Sequence, residues 1–131
     1  MIGLDTNVLV RYLTQDDPAQ ARKANQIIER ALTTGARVHI DTVVFCEVVW
    51  VLKGVYKFDR AEICSALEQL LDAAQVSVAD RDLVRGALSS YRNGHGDFAD
   101  YFIALRNVAA GCTSTATFDR ALRGSKLFTL L

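Results

Sequence analysis

Ile2-Gly3-Leu4-Asp5-Thr6-Asn7-Val8-Leu9-Val10-Arg11-Tyr12-Leu13 decides the fold class. Its first apolar run is too short for a helix and stops at Asp5-Thr6-Asn7. Apolar residues then resume at helical spacing, so the stretch reads as a buried strand, a capping turn and a helix. A strand feeding straight into a helix is the opening of a β-α unit. The rest of the chain repeats the figure.

Asp16-Asp17-Pro18 opens a helix, with Pro18 near its first position. Ala21, Ala24, Ile27, Ile28 and Leu32 make its apolar face, and Thr33-Thr34-Gly35 closes it. Val38-His39-Ile40 is a second strand, ended by Asp41-Thr42. A strongly apolar helix is expected over 43–56, stopped around Gly54. Phe58-Asp59 opens another, with Ile63, Leu67, Leu70 and Leu71 on one face. Val76-Ser77-Val78 is a third strand, followed by a helix over 80–91 and a loop, Asn93-Gly94-His95-Gly96. Asp97 starts a helix that ends at Gly111. Cys112-Thr113-Ser114-Thr115 is expected as a fourth strand, 118–122 as a helical turn and 126–130 as an edge strand. Short strands alternating with helices imply parallel β-α-β units and a three-layer α/β/α sandwich around a short, mainly parallel sheet. No repeat, linker or low-complexity segment interrupts residues 1–131, so one domain is expected.

Composition narrows the function classes. Half of the 131 residues are hydrophobic, enough for a packed interior rather than a disordered chain. Fifteen basic residues balance fifteen acidic ones, so any grip on nucleic acid cannot come from overall charge. Cations at a site would have to supply it. The cysteines, Cys46, Cys64 and Cys112, form no Cys-x-x-Cys pair and lie in apolar stretches. They are expected as buried free thiols in a reducing, cytoplasmic setting. The N-terminus has no signal-like core, and no stretch is apolar enough to span a bilayer.

Ligands of open parallel sheets bind where strands feed helices. Asp5 ends the first strand, Asp97 and Asp100 open the helix after the glycine loop, and Asp119 follows the fourth strand. Taken singly, Asp97 and Asp119 read as helix caps. Glu47 does not, because its neighbours one helical turn away are Val43, Val44, Trp50 and Val51. A carboxylate so placed is expected to be partly desolvated, which is costly without compensation. Asp100 repeats the pattern inside Phe98-Ala99-Asp100-Tyr101-Phe102-Ile103. Converging carboxylates repel one another and persist only if protonated, countered by bases or occupied by metal. Oxygen ligands without His or Cys favour Mg²⁺ or Mn²⁺.

At these residues the chain resembles the PIN-domain family, and within it the VapC-type toxins of bacterial and archaeal toxin–antitoxin pairs. The matching segments are 4–13, Glu47-Val48-Val49-Trp50-Val51-Leu52, Asp97-Phe98-Ala99-Asp100 with Ile103-Ala104, and Thr117-Phe118-Asp119-Arg120. They come in the family's order and run nearly the whole chain. The resemblance implies a metal-dependent endoribonuclease in which Asp5, Glu47 and Asp100 are metal ligands and Asp119 is a fourth acid, often acting through water. Asp97 matches an accessory acid, and Thr6 or Asn7 would hydrogen-bond the acids or a water. It also implies a small VapB-like antitoxin that presses an Arg into the acids, and a homodimer. The Tyr101-Phe102 pair departs from relatives, which often carry smaller residues there.

Phosphodiester hydrolysis needs an activated water, in-line geometry and charge relief on the leaving oxygen, all of which divalent cations supply. Arg11 and Arg120 are the basic residues offered to the RNA backbone, with Arg81, Arg85, Arg92, Arg106 and Arg123 as further members. His39 and His95 have no metal-ligand spacing. A phosphatase using Asp5 as nucleophile would need a second Asp where Asn7 stands, and a receiver domain would need adjacent acids. A non-catalytic binding module of the same fold, recognising RNA or a basic peptide, is the alternative.

Overall fold

In the computed structural model, which describes residues 1–131, the opening segment is a strand, β1 (Ile2–Leu4), that turns at Asp5 into α1 (Thr6–Thr14). Asp5 is extended, and its carboxylate accepts the Val8 N–H at 2.9 Å, which satisfies one of the donors a helix start leaves bare. α2 (Pro18–Thr34) starts as the sequence predicts, with Asp17 accepting the Gln20 N–H and Pro18 in the first turn. Gly35, at φ 74°, ends it in the left-handed conformation that a residue without Cβ adopts freely. β2 (Val38–Ile40), α3 (Thr42–Gly54), α4 (Arg60–Asp72) and β3 (Val76–Val78) follow. Asp59 and Glu62 cap α4 reciprocally, a capping box.

The chain forms two compact units, Met1–Ala79 and Asp80–Leu131. In the first, the strands pair in the order β1-β2-β3, all parallel, with Ile2 opposite Val38 and Val38 opposite Val76. Leu9, Ile40, Phe45, Leu52, Ile63, Leu67 and Leu71 are fully buried and form its core. An ion-paired network closes α1 onto the start of α2. Arg11 donates to Asp16 at 3.1 Å, to Gln20 at 2.7 Å and to the Tyr56 hydroxyl at 3.0 Å. The Tyr56 hydroxyl in turn donates to Asp16 at 2.6 Å. That bond, then the one from Thr14, holds the Asp16 carboxyl below its ordinary range.

The second unit is a helical hairpin with a two-stranded appendix. α5 (Arg81–Asn93) and α6 (Phe98–Ala109) pack so closely that a Cβ on Gly86 would stand 3.1 Å from a Leu105 methyl. β4 (Thr115–Thr117), a 3-10 turn over Arg120–Leu122 and β5 (Phe128–Leu130) complete the unit. β4 and β5 pair in parallel with each other. The mixed α/β class, the short parallel strands and the helix order are therefore as the sequence implies. The strands, however, divide between two sheets. β4 also begins later than expected, because the Cys112 N–H is used by Asn107 O in the wrap that ends α6, and the ladder starts with the Thr115 N–H on Leu127 O. No helix is long and apolar enough to cross a membrane.

Candidate active site

In the first unit the acids at issue are Asp5 and Glu47. Asp5 is exposed at the end of β1, with Oδ1 committed to the Val8 N–H. Asp41, at the end of β2, does the same for α3 by accepting the Val43 N–H at 2.8 Å. Glu47 projects from the middle of α3 and accepts a hydrogen bond from Thr6 Oγ1 at 3.0 Å, which ties the first turn of α1 to α3. Of the two candidate supporting residues, Thr6 thus contacts an acid and the exposed Asn7 does not.

The expected desolvation of Glu47 is not what the structure shows. Its carboxylate is exposed, because the residues on its own stripe of α3 are open too. Val43 is 61% exposed and Trp50 53%, while Phe45, Val48, Val49 and Leu52 form the buried face. Apolar neighbours in sequence imply apolar cover, but on this helix both faces are apolar and only one is packed. The cysteines need the same correction. Only Cys64 is buried; Cys46 is half-buried and Cys112 exposed, all free.

In the second unit Asp97, Asp100 and Asp119 share one electrostatic environment. The Asp100 carboxylate reaches back to the Asp97 N–H at 3.1 Å, capping α6. Burial, followed by the charges of Asp97 and Asp119, raises its pKa above the ordinary range. Asp119 caps the 3-10 turn by accepting the Ala121 N–H at 2.9 Å, and its own N–H is held by Thr117 Oγ1 at 3.0 Å.

The loop that delivers Asp97 is built around the Tyr101 hydroxyl, which accepts the buried Gly96 N–H at 3.1 Å. A Cβ on Gly94 would run into that hydroxyl and stand 2.9 Å from Ser90 O, and one on Gly96 would run into Leu122. Gly94, wedged against backbone, therefore requires glycine, and a side chain at Gly96 would have to displace the buried Leu122 methyl. Tyr101 and Phe102, the departure noted above, are accommodated by burial. Tyr101 packs edge-on to Phe128, while Phe102 stacks on Phe98 beneath the Arg106 guanidinium. From the sequence this segment reads only as a glycine loop; the tyrosine five residues beyond Gly96 is the signal that marks its anchor. Beside this loop lies a polar cavity of about 340 Å³ lined by Ser90, Asn93, His95, Tyr101, Arg123 and Ser125.

No three His, Cys, Asp or Glu side chains stand close enough to form a finished metal cage. Within each unit the candidates are all carboxylates, a donor type that suits a hard divalent cation. Of the basic candidates, Arg11 is committed to Asp16, Gln20 and Tyr56, while Arg120 is exposed beside Asp119.

Comparison with known proteins places the chain in a family. The chain is 24% identical over 120 residues to a VapC ribonuclease of Aquifex aeolicus (strain VF5), covering 92% of this chain and 88% of that protein. No solved structure matches it significantly. The PIN domain model matches residues 2–124, which span both units and all five acids, and the chain accordingly belongs to the PIN domain family.

Proposed function

We propose that residues 1–131 act as one metal-dependent endoribonuclease domain, the toxin of a VapBC-type pair. Asp5, Glu47, Asp97, Asp100 and Asp119 would hold Mg²⁺ or Mn²⁺. The observation that carries this reading is the carboxylate group around Asp100: a half-buried acid whose nearest charges are other acids is stabilised by a cation. The similarity to a VapC ribonuclease over most of both chains supports RNA as the substrate.

When bound, the cation supplies an activated water and charge relief on the leaving oxygen. The chain's own residues do the rest. Thr6 fixes the Glu47 carboxylate, the Gly94–Gly96 loop and Tyr101 fix Asp97, and Thr117 fixes Asp119. Arg120 is the basic side chain offered to a phosphate, Arg11 being held by its own network. The same reading includes a small antitoxin protein, a homodimer and action in the cytoplasm.

The test is cleavage of end-labelled single-stranded RNA by the purified chain. Cleavage should stop with EDTA, return with Mg²⁺ or Mn²⁺, and be lost in Asp119→Asn. Cleavage that survives chelation would end the metal assignment. Binding without cleavage under all conditions would leave a non-catalytic RNA-binding module instead.

A further inference from the structure

The chain has six Phe, four Tyr and one Trp, and only two of these rings are exposed: Trp50 at 53% and Phe118 at 82%. Each stands beside a candidate acid. Trp50 follows Glu47 by one turn of α3, on the same stripe. Phe118 immediately precedes Asp119. Neither ring is on a loose segment. Trp50 lies inside a helix whose opposite face is fully buried, and the backbone around Phe118 is held by the Thr117–Asp119 and Asp119–Ala121 hydrogen bonds.

Large apolar rings left in water at rigid positions beside a site ask for a flat apolar partner. The charge balance says which kind. With a net charge of zero the chain has no global basic field, so beyond the site cations and Arg120 a term independent of charge is available to strengthen the hold on RNA. Base–aromatic stacking is such a term, and it is open only to bases that are not already stacked in a duplex.

We infer that Trp50 and Phe118 are stacking platforms for unpaired nucleobases, and that stacking rather than phosphate charge provides most of the RNA affinity. This rests on the ribonuclease reading above. It predicts discrimination against double-stranded RNA and weak salt dependence.

Trp50 is the sole tryptophan, so its fluorescence reports the contact directly. Titrating the full chain with a short single-stranded oligoribonucleotide, in EDTA and in Mg²⁺, should quench it; the matched duplex should not. Trp50→Phe should keep the affinity, whereas Trp50→Ala and Phe118→Ala should each weaken binding roughly tenfold. Between about 50 and 200 mM salt the affinity should fall less than about tenfold, the mark of few phosphate contacts. RNA cleaved normally, with no quenching and unchanged affinity in both alanine variants, would overturn the stacking role and leave the nuclease intact. No binding and no cleavage by the parent chain would sink both. Emission that shifts blue with protein concentration alone, with no quenching by RNA, would assign Trp50 to a contact between copies and overturn the inference.

Discussion

Asp5 can be asked to separate its two roles by a pair of substitutions. Its Oδ1 accepts the Val8 N–H at 2.9 Å from an extended N-cap conformation, so it caps α1 whatever else it does. Asparagine caps about as well as aspartate, whereas alanine loses about 0.5–2 kcal/mol. For a chain of this size that corresponds to a fall of about 2–8 °C in Tm. Asparagine carries no charge and is a poor ligand for a hard cation. Asp5→Asn should therefore unfold within about 1 °C of the parent in EDTA, on that scale, yet lose Mg²⁺-dependent cleavage. Asp5→Ala should lose both stability and cleavage. Thermal unfolding in EDTA and a cleavage assay at matched folded concentration read the two effects separately. If Asp5→Asn is destabilised as much as Asp5→Ala, the carboxylate charge stabilises the fold and the cap geometry is not the source. If Asp5→Asn still cleaves, Asp5 is a cap and nothing more.

Two further outcomes follow from the second unit. Asp100 has a raised folded-state pKa, from burial first and then from Asp97 and Asp119. Between the unfolded and folded values the native chain therefore holds a proton the unfolded chain has released, and stability falls as pH rises through that window. Asp100→Asn, whose amide oxygen can still accept the Asp97 N–H, should then be more stable than the parent at neutral pH in EDTA. Solvent screening keeps the gain below about 1 kcal/mol, and it should vanish once the pH drops under the ordinary Asp range. A gain that grows on acidification would contradict the assignment. Tyr101→Phe removes the hydroxyl that accepts the buried Gly96 N–H and should cost about 0.5–1.5 kcal/mol in a denaturant titration. An unchanged midpoint would show that the loop does not depend on that bond.

The order of elements was legible because local chemistry announces it. Asp17-Pro18 and Gly35 bracket α2, and Asp5 stands at a strand-to-helix turn, all signals carried within a few residues. What failed was decided by partners distant in sequence. β4 starts where Leu127 O meets the Thr115 N–H, and nothing in Cys112-Thr113-Ser114 says so. The open face of α3 failed for a related reason. Valine and tryptophan are written the same way on a packed stripe and on a bare one, so the exposure of Val43, Glu47 and Trp50 could not be read from their identity. The acids themselves are visible, since carboxylates at strand ends and inside apolar helices are conspicuous, but in sequence a helix cap and a metal ligand read as rivals.

The structure makes that rivalry unnecessary. Asp5, Asp97, Asp100 and Asp119 each sit in the first turn of a helix or at its cap, where bare N–H groups and the positive end of the helix dipole lie. Those groups orient each carboxylate and offset part of its desolvation, so an acid can be held in place before any cation arrives. Asp5 Oδ1 and Asp119 Oδ1 take a backbone donor, as does Asp100 Oδ2, leaving the second oxygen of each for a ligand. Glu47 is the exception: mid-helix, it lacks backbone donors, and the Thr6 hydroxyl supplies the hydrogen bond instead. Thr6→Val should accordingly weaken Mn²⁺ binding while leaving the α1 cap intact, since the cap bond runs through Asp5 and Val8. Unchanged Mn²⁺ affinity, read by titration of the full chain, would mean that Glu47 needs no such support.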